Sequence, residues 1–282
     1  MTKTLDHSNR VDAPYIWSCT DKVSGKSVFW LISEMRRILC CLLCLSAIWS
    51  CSAVAPSPQK EDPPGTGDPS TAVEVDSSYL FVGNSLSYYN EMPSILVEIA
   101  AAYDLVIGAD CLCKPNYAIL DHWAETELEA LIASKAYVQV ILQQGPSSQA
   151  FGRSVLLEYG PKISQLASSH QTKTAFYMVW PSKAYYYTFQ GVIDNYTEAA
   201  KVSDADLFPV GHVWKDYIEE TGDESIYGAD GFHPSVKGSF LAAWVMFRFL
   251  YPDIETEVLP DFSKYISTED LEKINNLISV TD

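Results

Sequence analysis

Three residues of the sequence have the types that nucleophilic catalysis requires. Ser85 lies in "LFVGNSLSYYN", directly after an apolar run, and His233 lies in "YGADGFHPS", three residues after Asp230. A serine hydroxyl is a weak nucleophile at neutral pH, so it needs a base within hydrogen-bonding distance and a third group that fixes the tautomer of that base. We therefore predict Ser85 as the nucleophile, His233 as the base and Asp230 as its partner. The alternative is that Asn84 and Ser85 only cap a turn after a buried strand.

The loop around His233 has further features that suit a catalytic base. Gly231 gives the backbone conformational freedom, and Pro234 is suited to the first turn of a following helix. Three other histidines follow the amino-terminal region, and for them we predict surface or packing roles: His122, His170 and His212.

Alternating apolar strands and periodic helices predict the scaffold that brings these residues together. We predict strands at residues 79–82, 105–109, 138–142, 174–179 and 207–210. We predict helices at residues 93–103, 125–134, 152–169, 192–200, 212–220 and 235–251. This alternation indicates a three-layer α/β/α domain with a parallel sheet covered on both faces. Ligands of such sheets bind beyond the carboxyl ends of the strands, where "GNSLS", "QQGPSS" and "WPS" are expected.

Two of these segments resemble the sequence blocks of a known superfamily. "FVGNSLSYYNEMP" resembles the first block of the SGNH, or GDSL, hydrolases, and "DGFHPS" is similar to their last block, D-x-x-H. The likeness continues through "VILQQGPSS", "MVWPS" and "DLFPVGHVW", and it covers about residues 80–251. The order Ser, Asp, His also fits the α/β-hydrolases, but no G-x-S-x-G occurs. The resemblance implies a flavodoxin-like α/β/α sandwich, ester hydrolysis without metal or cofactor, and the three roles given above.

The resemblance also implies an oxyanion hole with three donors. By this resemblance, the first donor is the amide of Ser85, the second is a glycine amide and the third is an asparagine side chain. The segment "KPNYAILDHW" has no glycine, and Asn116 stands nearest that place. Gln143 or Gln144 stands where the asparagine is expected; Gln143 ranks first because it directly follows the predicted strand.

The amino-terminal region has the features of an export signal. Two arginines precede "ILCCLLCLSAIW", which has the length of a signal-peptide core. Cys51 resembles the lipid-modified cysteine of bacterial lipoproteins, and a cut after Ala55 is the alternative. We expect an exported, membrane-anchored lipoprotein of the cell envelope that faces the periplasm or the exterior. The predicted segments are an extension ahead of the true start (1–34), a signal peptide (35–51), a Pro-, Gly-, Ser- and acid-rich tether (52–78) and a hydrolase domain (79–282).

Charge excludes one class of partner. The formal net charge of −17, without a basic cluster, argues against nucleic acid, whose binding needs grouped Lys and Arg. From Cys51 onward, 13 basic residues face 32 acidic ones, a formal charge of −19. Such a surface is repelled by anionic lipid, so we expect membrane contact through the lipid on Cys51 alone.

Cys111 and Cys113 are the cysteines that remain in the predicted domain. One intervening residue is too few for zinc-ligand spacing, and an ordinary disulfide between them would be strained. We therefore predict two buried, small apolar residues and no metal site.

The expected substrate is a small-molecule or glycan ester, and O-deacetylation of a carbohydrate is the favoured reaction. A lipid esterase or lysophospholipase is one alternative, and an inactive glycan-binding protein on the same fold is another. Five aromatic residues are candidates for a sugar-stacking cleft, although core packing is the commoner role of such residues: Trp123, Trp180, Tyr185, Tyr186 and Tyr187.

Overall fold

The computed structural model describes residues 77–256 and 258–281. The predicted extension 1–34, the signal segment 35–51 with Cys51, and nearly all of the tether 52–78 lie outside the described residues. These assignments stay predictions from the sequence.

Five parallel strands form the sheet in the order β2-β1-β3-β4-β5. The strands are β1 (Ser77–Gly83), β2 (Ile107–Cys113), β3 (Gln139–Leu142), β4 (Lys173–Tyr177) and β5 (Asp206–Phe208). The central strands β1 and β3 are buried along almost their whole length, as expected where helices cover both faces of a parallel sheet. The predicted parallel α/β sheet is confirmed.

Helices cover the two faces of the sheet. They are α1 (Ser85–Tyr88), α2 (Met92–Ala101), α3 (Ile119–Trp123), α4 (Thr126–Ser134), α5 (Ala150–Ser169), α6 (Phe189–Val202), α7 (Val210–Thr221), α8 (Val236–Leu250) and α9 (Thr268–Thr281). Strand β2 lies on one side of β1, and β3, β4 and β5 follow on the other side. Because crossovers between parallel strands are right-handed, this change of direction places α2 on one face of the sheet and α3 to α6 on the other. Accordingly α2 packs against α8, and α5 packs against α6. Within residues 77–256 and 258–281, no helix has the length and apolar character of a membrane span.

The prediction for Cys111 and Cys113 is wrong. The two residues form a disulfide with a Cα–Cα distance of 5.2 Å, within the usual range for such a bond. Their side chains lie on the same face of β2 because alternate residues of a strand point the same way. Cys111 is exposed and Cys113 is half-buried, because β2 is an edge strand of the sheet.

A partly buried lysine joins the carboxyl-terminal helix to the body of the domain. Lys237 Nζ donates to the Tyr217 hydroxyl (2.7 Å), to Asp223 Oδ2 (2.7 Å) and to Asp270 Oδ2 (2.8 Å). Burial opposes ionisation of Asp223, but hydrogen bonds from Lys237 and Ser225 outweigh it and lower the pKa of this carboxyl. The network therefore depends on charged carboxylates.

We predict that Lys237→Met lowers the free energy of unfolding by about 2 kcal/mol at neutral pH, measured by urea denaturation. This is less than the loss for a fully buried pair, because solvent screens the partly exposed Asp223. A carboxyl with a lowered folded-state pKa contributes stability above its unfolded pKa and loses it as pH falls. The difference between wild type and variant should therefore shrink below about pH 4.

Lys273→Met is the matched control, because Lys273 makes an exposed pair with Glu269 one turn away on α9. It should change stability little at any pH. An equal loss in both variants would contradict the structural role of the Lys237 network.

Candidate active site

The structure brings Ser85, His233 and Asp230 into one hydrogen-bonded chain. His233 Nε2 lies 2.9 Å from Ser85 Oγ, and His233 Nδ1 lies 2.6 Å from Asp230 Oδ2. A carboxylate only accepts, so Nδ1 carries the proton and donates it to Asp230. Nε2 is then the acceptor that faces the Ser85 hydroxyl. This geometry allows proton transfer from the serine to the imidazole.

Asp230 is fixed by contacts inside its own loop. Its Oδ1 accepts from the backbone N–H groups of Phe232 and His233, both at 2.9 Å, while Oδ2 accepts from the His233 ring. Burial favours the neutral carboxyl, but these hydrogen bonds outweigh burial and lower the pKa of Asp230. Asp230 is therefore a carboxylate at neutral pH, able to stabilise a positively charged imidazole.

Ser85 begins α1 at the carboxyl end of β1, in a segment that we call the nucleophile turn (residues 83–87). Asn84 caps α1, because its Oδ1 accepts from the Leu86 N–H at 3.1 Å. Its Nδ2 donates to the Tyr117 carbonyl at 2.9 Å, which ties the turn to the segment after β2. The N–H of Ser85 has no recorded acceptor among the described residues, as expected for the first residue of a helix.

Gln143 holds the nucleophile turn from the side of β3. Its Oε1 accepts from the Asn84 N–H (2.8 Å) and from the Ser87 hydroxyl (2.9 Å). Its Nε2 is buried and has no partner within the part of the chain that the structure describes. A Cβ added at Gly83 would lie 2.5 Å from Gln143 Oε1. The glycine that ends the apolar run therefore makes room for this side chain.

The carbonyl of Gly83 is held from the opposite side. It accepts from the Lys114 N–H at 3.1 Å and from His122 Nε2 at 2.8 Å. His122 is fully buried, and burial lowers its pKa, which favours the neutral ring. The packing role predicted for His122 thus includes a contact with the nucleophile turn. No sequence pattern indicates this contact, because it depends on how α3 packs against the end of β1.

The other two predicted side chains of the oxyanion hole lie in different settings. Asn116 is exposed and has a φ of 61°, a left-handed conformation that glycine adopts readily and asparagine tolerates. Gln144 is buried, and its Nε2 donates to Ser147 Oγ (2.8 Å) and to the Gly152 carbonyl (3.1 Å). The amide donors of Gln144 are thus used within the loop that follows β3 and in the first turn of α5.

The loop that carries His233 is anchored to the segment after β4. The Lys183 N–H donates to the Gly231 carbonyl (2.9 Å), and Trp180 Nε1 donates to the Phe232 carbonyl (3.0 Å). Gly231 has a φ of 68°, which explains the glycine at this position. The "WPS" segment therefore helps to position the loop that carries His233.

No family model matches the sequence, and no curated protein matches it either. A protein from Slackia heliotrinireducens assigned to the SGNH hydrolases is 23% identical, with a TM-score of 0.53, over 62% of this chain and 98% of that one. The chain has the SGNH hydrolase fold. The resemblance predicted from the sequence is therefore confirmed at the level of the fold.

Two further solved structures are similar. A DUF4886 family protein from Bacteroides uniformis has a TM-score of 0.62 at 14% identity, over 72% of this chain and 93% of that one. A lipase/acylhydrolase from Enterococcus faecalis has a TM-score of 0.52 at 12% identity, over 64% of this chain and 99% of that one.

The five aromatic residues that were candidates for a sugar-stacking cleft fall into two groups by burial. Trp180 is fully buried and stacks on Trp214 with ring centroids 3.6 Å apart, and Tyr186 packs edge-on against Phe189. Trp180 belongs to the core, and the half-buried Tyr186 packs against it. The remaining three expose a large part of their side chains: Trp123 (38%), Tyr185 (49%) and Tyr187 (79%).

We predict that Gly83→Ala slows the reaction of Ser85 with a fluorophosphonate probe, because the new methyl group displaces the amide of Gln143. Overpacking at such a buried site costs about 1–3 kcal/mol, which thermal unfolding should detect. Peptide mapping of the adduct gives the labelled serine, and its rate of formation gives the effect.

Gly145→Ala is the matched control, since a Cβ added there meets nothing within 4 Å. Gly145 also lies beside the residues after β3, but the change should leave both measurements near wild type. Equal labelling rates for Gly83→Ala and wild type would show that Gln143 does not support Ser85.

Proposed function

We propose that the protein is a serine ester hydrolase that works through an acyl-enzyme intermediate. The observation that carries this proposal is the hydrogen-bonded chain from Ser85 Oγ through His233 to the Asp230 carboxylate. The similar fold of the lipase/acylhydrolase from Enterococcus faecalis is consistent with it. This orientation matters, because His233 can accept the serine proton only if its imidazole faces the Ser85 hydroxyl.

The reaction proceeds in two halves. Ser85 Oγ attacks the ester carbonyl while His233 Nε2 takes the hydroxyl proton, and the imidazolium then gives this proton to the leaving alcohol. In the second half His233 Nε2 takes a proton from water while the water oxygen attacks the acyl carbonyl. The imidazolium then gives this proton to Ser85 Oγ as the bond to the acyl group breaks and the carboxylic acid leaves. Asp230 remains ionised and stabilises the imidazolium in both halves.

The proposed oxyanion donors are the Ser85 N–H, the Gln143 amide and the backbone N–H of Asn116. Gln143 is supported by its fixed orientation, since Oε1 is held by two donors and Nε2 is left without a partner in the described chain. A buried donor without a partner is costly unless a ligand satisfies it. Asn116 is supported as a donor by the position of its turn, which is bonded to the nucleophile turn on both sides. The Lys114 N–H donates to the Gly83 carbonyl, and the Tyr117 carbonyl accepts from Asn84 Nδ2.

Carbohydrate is the proposed acyl acceptor, and acetyl is the proposed acyl group. Tyr185 and Tyr187 expose much of their rings on the segment after β4, with ring centroids 6.2 Å apart. The same segment contacts the loop of the base through the Lys183 N–H. Exposed aromatic faces suit stacking against sugar rings, and the acidic surface disfavours an anionic lipid interface.

We predict that wild type hydrolyses p-nitrophenyl acetate faster than the butyrate and octanoate esters. Ser85→Ala and His233→Ala should each lower kcat about 10⁴-fold or more, and combining them should add little because the two act as a unit. Asp230→Asn should cost less, since nucleophile and base both remain. The measurement is steady-state hydrolysis with the three esters.

Other results of these ester-hydrolysis measurements would favour a different function or mechanism. Turnover that rises with chain length would favour a lipid esterase, and a folded wild type without turnover would favour a glycan-binding protein. A folded His233→Ala variant that keeps most of its activity would reject the assigned mechanism. Tyr187→Ala serves as the substrate control: it should raise KM for acetylated polysaccharide and leave p-nitrophenyl acetate hydrolysis unchanged.

We predict that Gln143→Ala lowers kcat about 10²-fold with little change in KM, the usual loss for one oxyanion donor. Gln144→Ala should be milder, because the amide of Gln144 already donates to Ser147 and Gly152. Steady-state kinetics of both folded variants provide the comparison. If Gln144→Ala is the more damaging change, the donor is assigned to the wrong glutamine; if neither matters, backbone N–H groups alone hold the oxyanion.

A further inference from the structure

The ring of Tyr89 lies flat against the imidazole of His233. The ring centroids are 4.5 Å apart, and the planes differ by 19°. Phe232 meets the same imidazole at a steeper angle of 64°, with centroids 5.1 Å apart. The imidazole is therefore confined by Asp230 along its Nδ1 edge, by Tyr89 on one face and by Phe232 from a third direction.

The backbone after Tyr89 has an unusual conformation. Asn90 and Glu91 have φ values of 52° and 55°, so two consecutive residues other than glycine lie in the left-handed region. Asparagine tolerates this region, but glutamate seldom adopts it. Such backbone persists only where the surrounding structure holds it in place, and it is concentrated at functional sites.

Hydrogen bonds to the segment after His233 hold this backbone. Asn90 Nδ2 donates to the Pro234 carbonyl (3.0 Å) and to Ser239 Oγ (2.9 Å), and Ser239 Oγ lies 3.3 Å from the Tyr89 carbonyl. Pro234 directly follows His233, and Ser239 lies in the first turn of α8. The segment that follows the nucleophile is thereby joined to the segment that follows the base.

We propose that Tyr89 is a positioning residue that keeps the imidazole of His233 on Ser85 Oγ throughout the reaction. Asp230 fixes one nitrogen of the ring, but a single hydrogen bond does not prevent the ring from tilting about that contact. The Tyr89 ring blocks this tilt. Its electron-rich face also attracts the imidazolium that forms when His233 takes the serine proton. This role rests on the proposed function, because it matters only if His233 acts as a base.

Tyr89→Ala tests the proposal through the division of its effect between kcat and KM. We expect kcat for p-nitrophenyl acetate to fall by about 10- to 100-fold with KM nearly unchanged, because the lost contact acts on the base and not on bound substrate. The rate of fluorophosphonate labelling at Ser85 should fall in parallel. Tyr89→Phe keeps the stacked ring and should restore most of both rates.

Tyr88→Ala is the matched control. Tyr88 is the preceding residue and is similarly exposed (37% against 40%), but it has no recorded contact with His233. It should leave kcat and labelling near wild type. Equal losses at both positions would overturn the proposal, and so would a rise in KM at constant kcat in Tyr89→Ala, which would make Tyr89 a wall of the substrate site. Circular dichroism confirms that each variant is folded.

A measurement independent of turnover separates this proposal from the proposed function. In NMR spectra, the carbon-bound ring protons of His233 should be shifted upfield by the Tyr89 ring and should return toward ordinary values in Tyr89→Ala. If that shift is present and wild type hydrolyses no ester, the proposed function fails and the positioning role falls with it. If wild type is active and Tyr89→Ala labels at the wild-type rate, only the positioning role fails.

Discussion

The peptide bond between Gly83 and Asn84 is the constraint on which the rest of the site depends. Its N–H donates to Gln143 Oε1, and its carbonyl accepts from Lys114 and from the ring of His122. Three neighbouring segments therefore fix the orientation of one peptide plane, and Ser85 is the next residue along the chain. The Ser85 hydroxyl, which lies 2.9 Å from His233 Nε2, is thus positioned through the backbone that precedes it.

The base is positioned by a separate group of contacts, and the two groups meet at only a few places. The His233 loop is bonded to the segment after β4, whereas the nucleophile turn is bonded to the segments after β2 and β3. Asn90 is one of the links between them, through the carbonyl of Pro234. Because the reacting atoms come from opposite ends of the domain sequence, small shifts between these groups would change the Ser85–His233 distance directly.

Much of this arrangement could be predicted from the sequence, and the failures have physical causes. Ser85 and His233 follow from local patterns: a polar turn after an apolar strand, and an aspartate three residues before a histidine. Strand β2 was predicted too early, at 105–109 instead of Ile107–Cys113, because "DCLC" belongs to a partly exposed edge strand and lacks a continuous apolar run. The helix Thr268–Thr281 was not predicted, although Leu271, Ile274 and Ile278 have helical spacing and are buried. The stacking of Tyr89 on His233 depends on two left-handed residues, which no composition or periodicity indicates.

Burial separates the residues that are proposed to react from those that support them. Ser85 and His233 are only partly buried, as a site that must admit substrate requires, whereas Asn84, His122 and Gln143 are buried. A change in a supporting residue leaves buried polar groups without partners, so it should lower stability together with activity, while a change in a reacting group can lower activity alone.

The Cys111–Cys113 disulfide also supports the nucleophile turn, because Cys113 pairs with Gly83 in the sheet. The covalent link lies within the edge strand and restricts the backbone of β2 where Cys113 pairs with Gly83, the residue that begins the nucleophile turn.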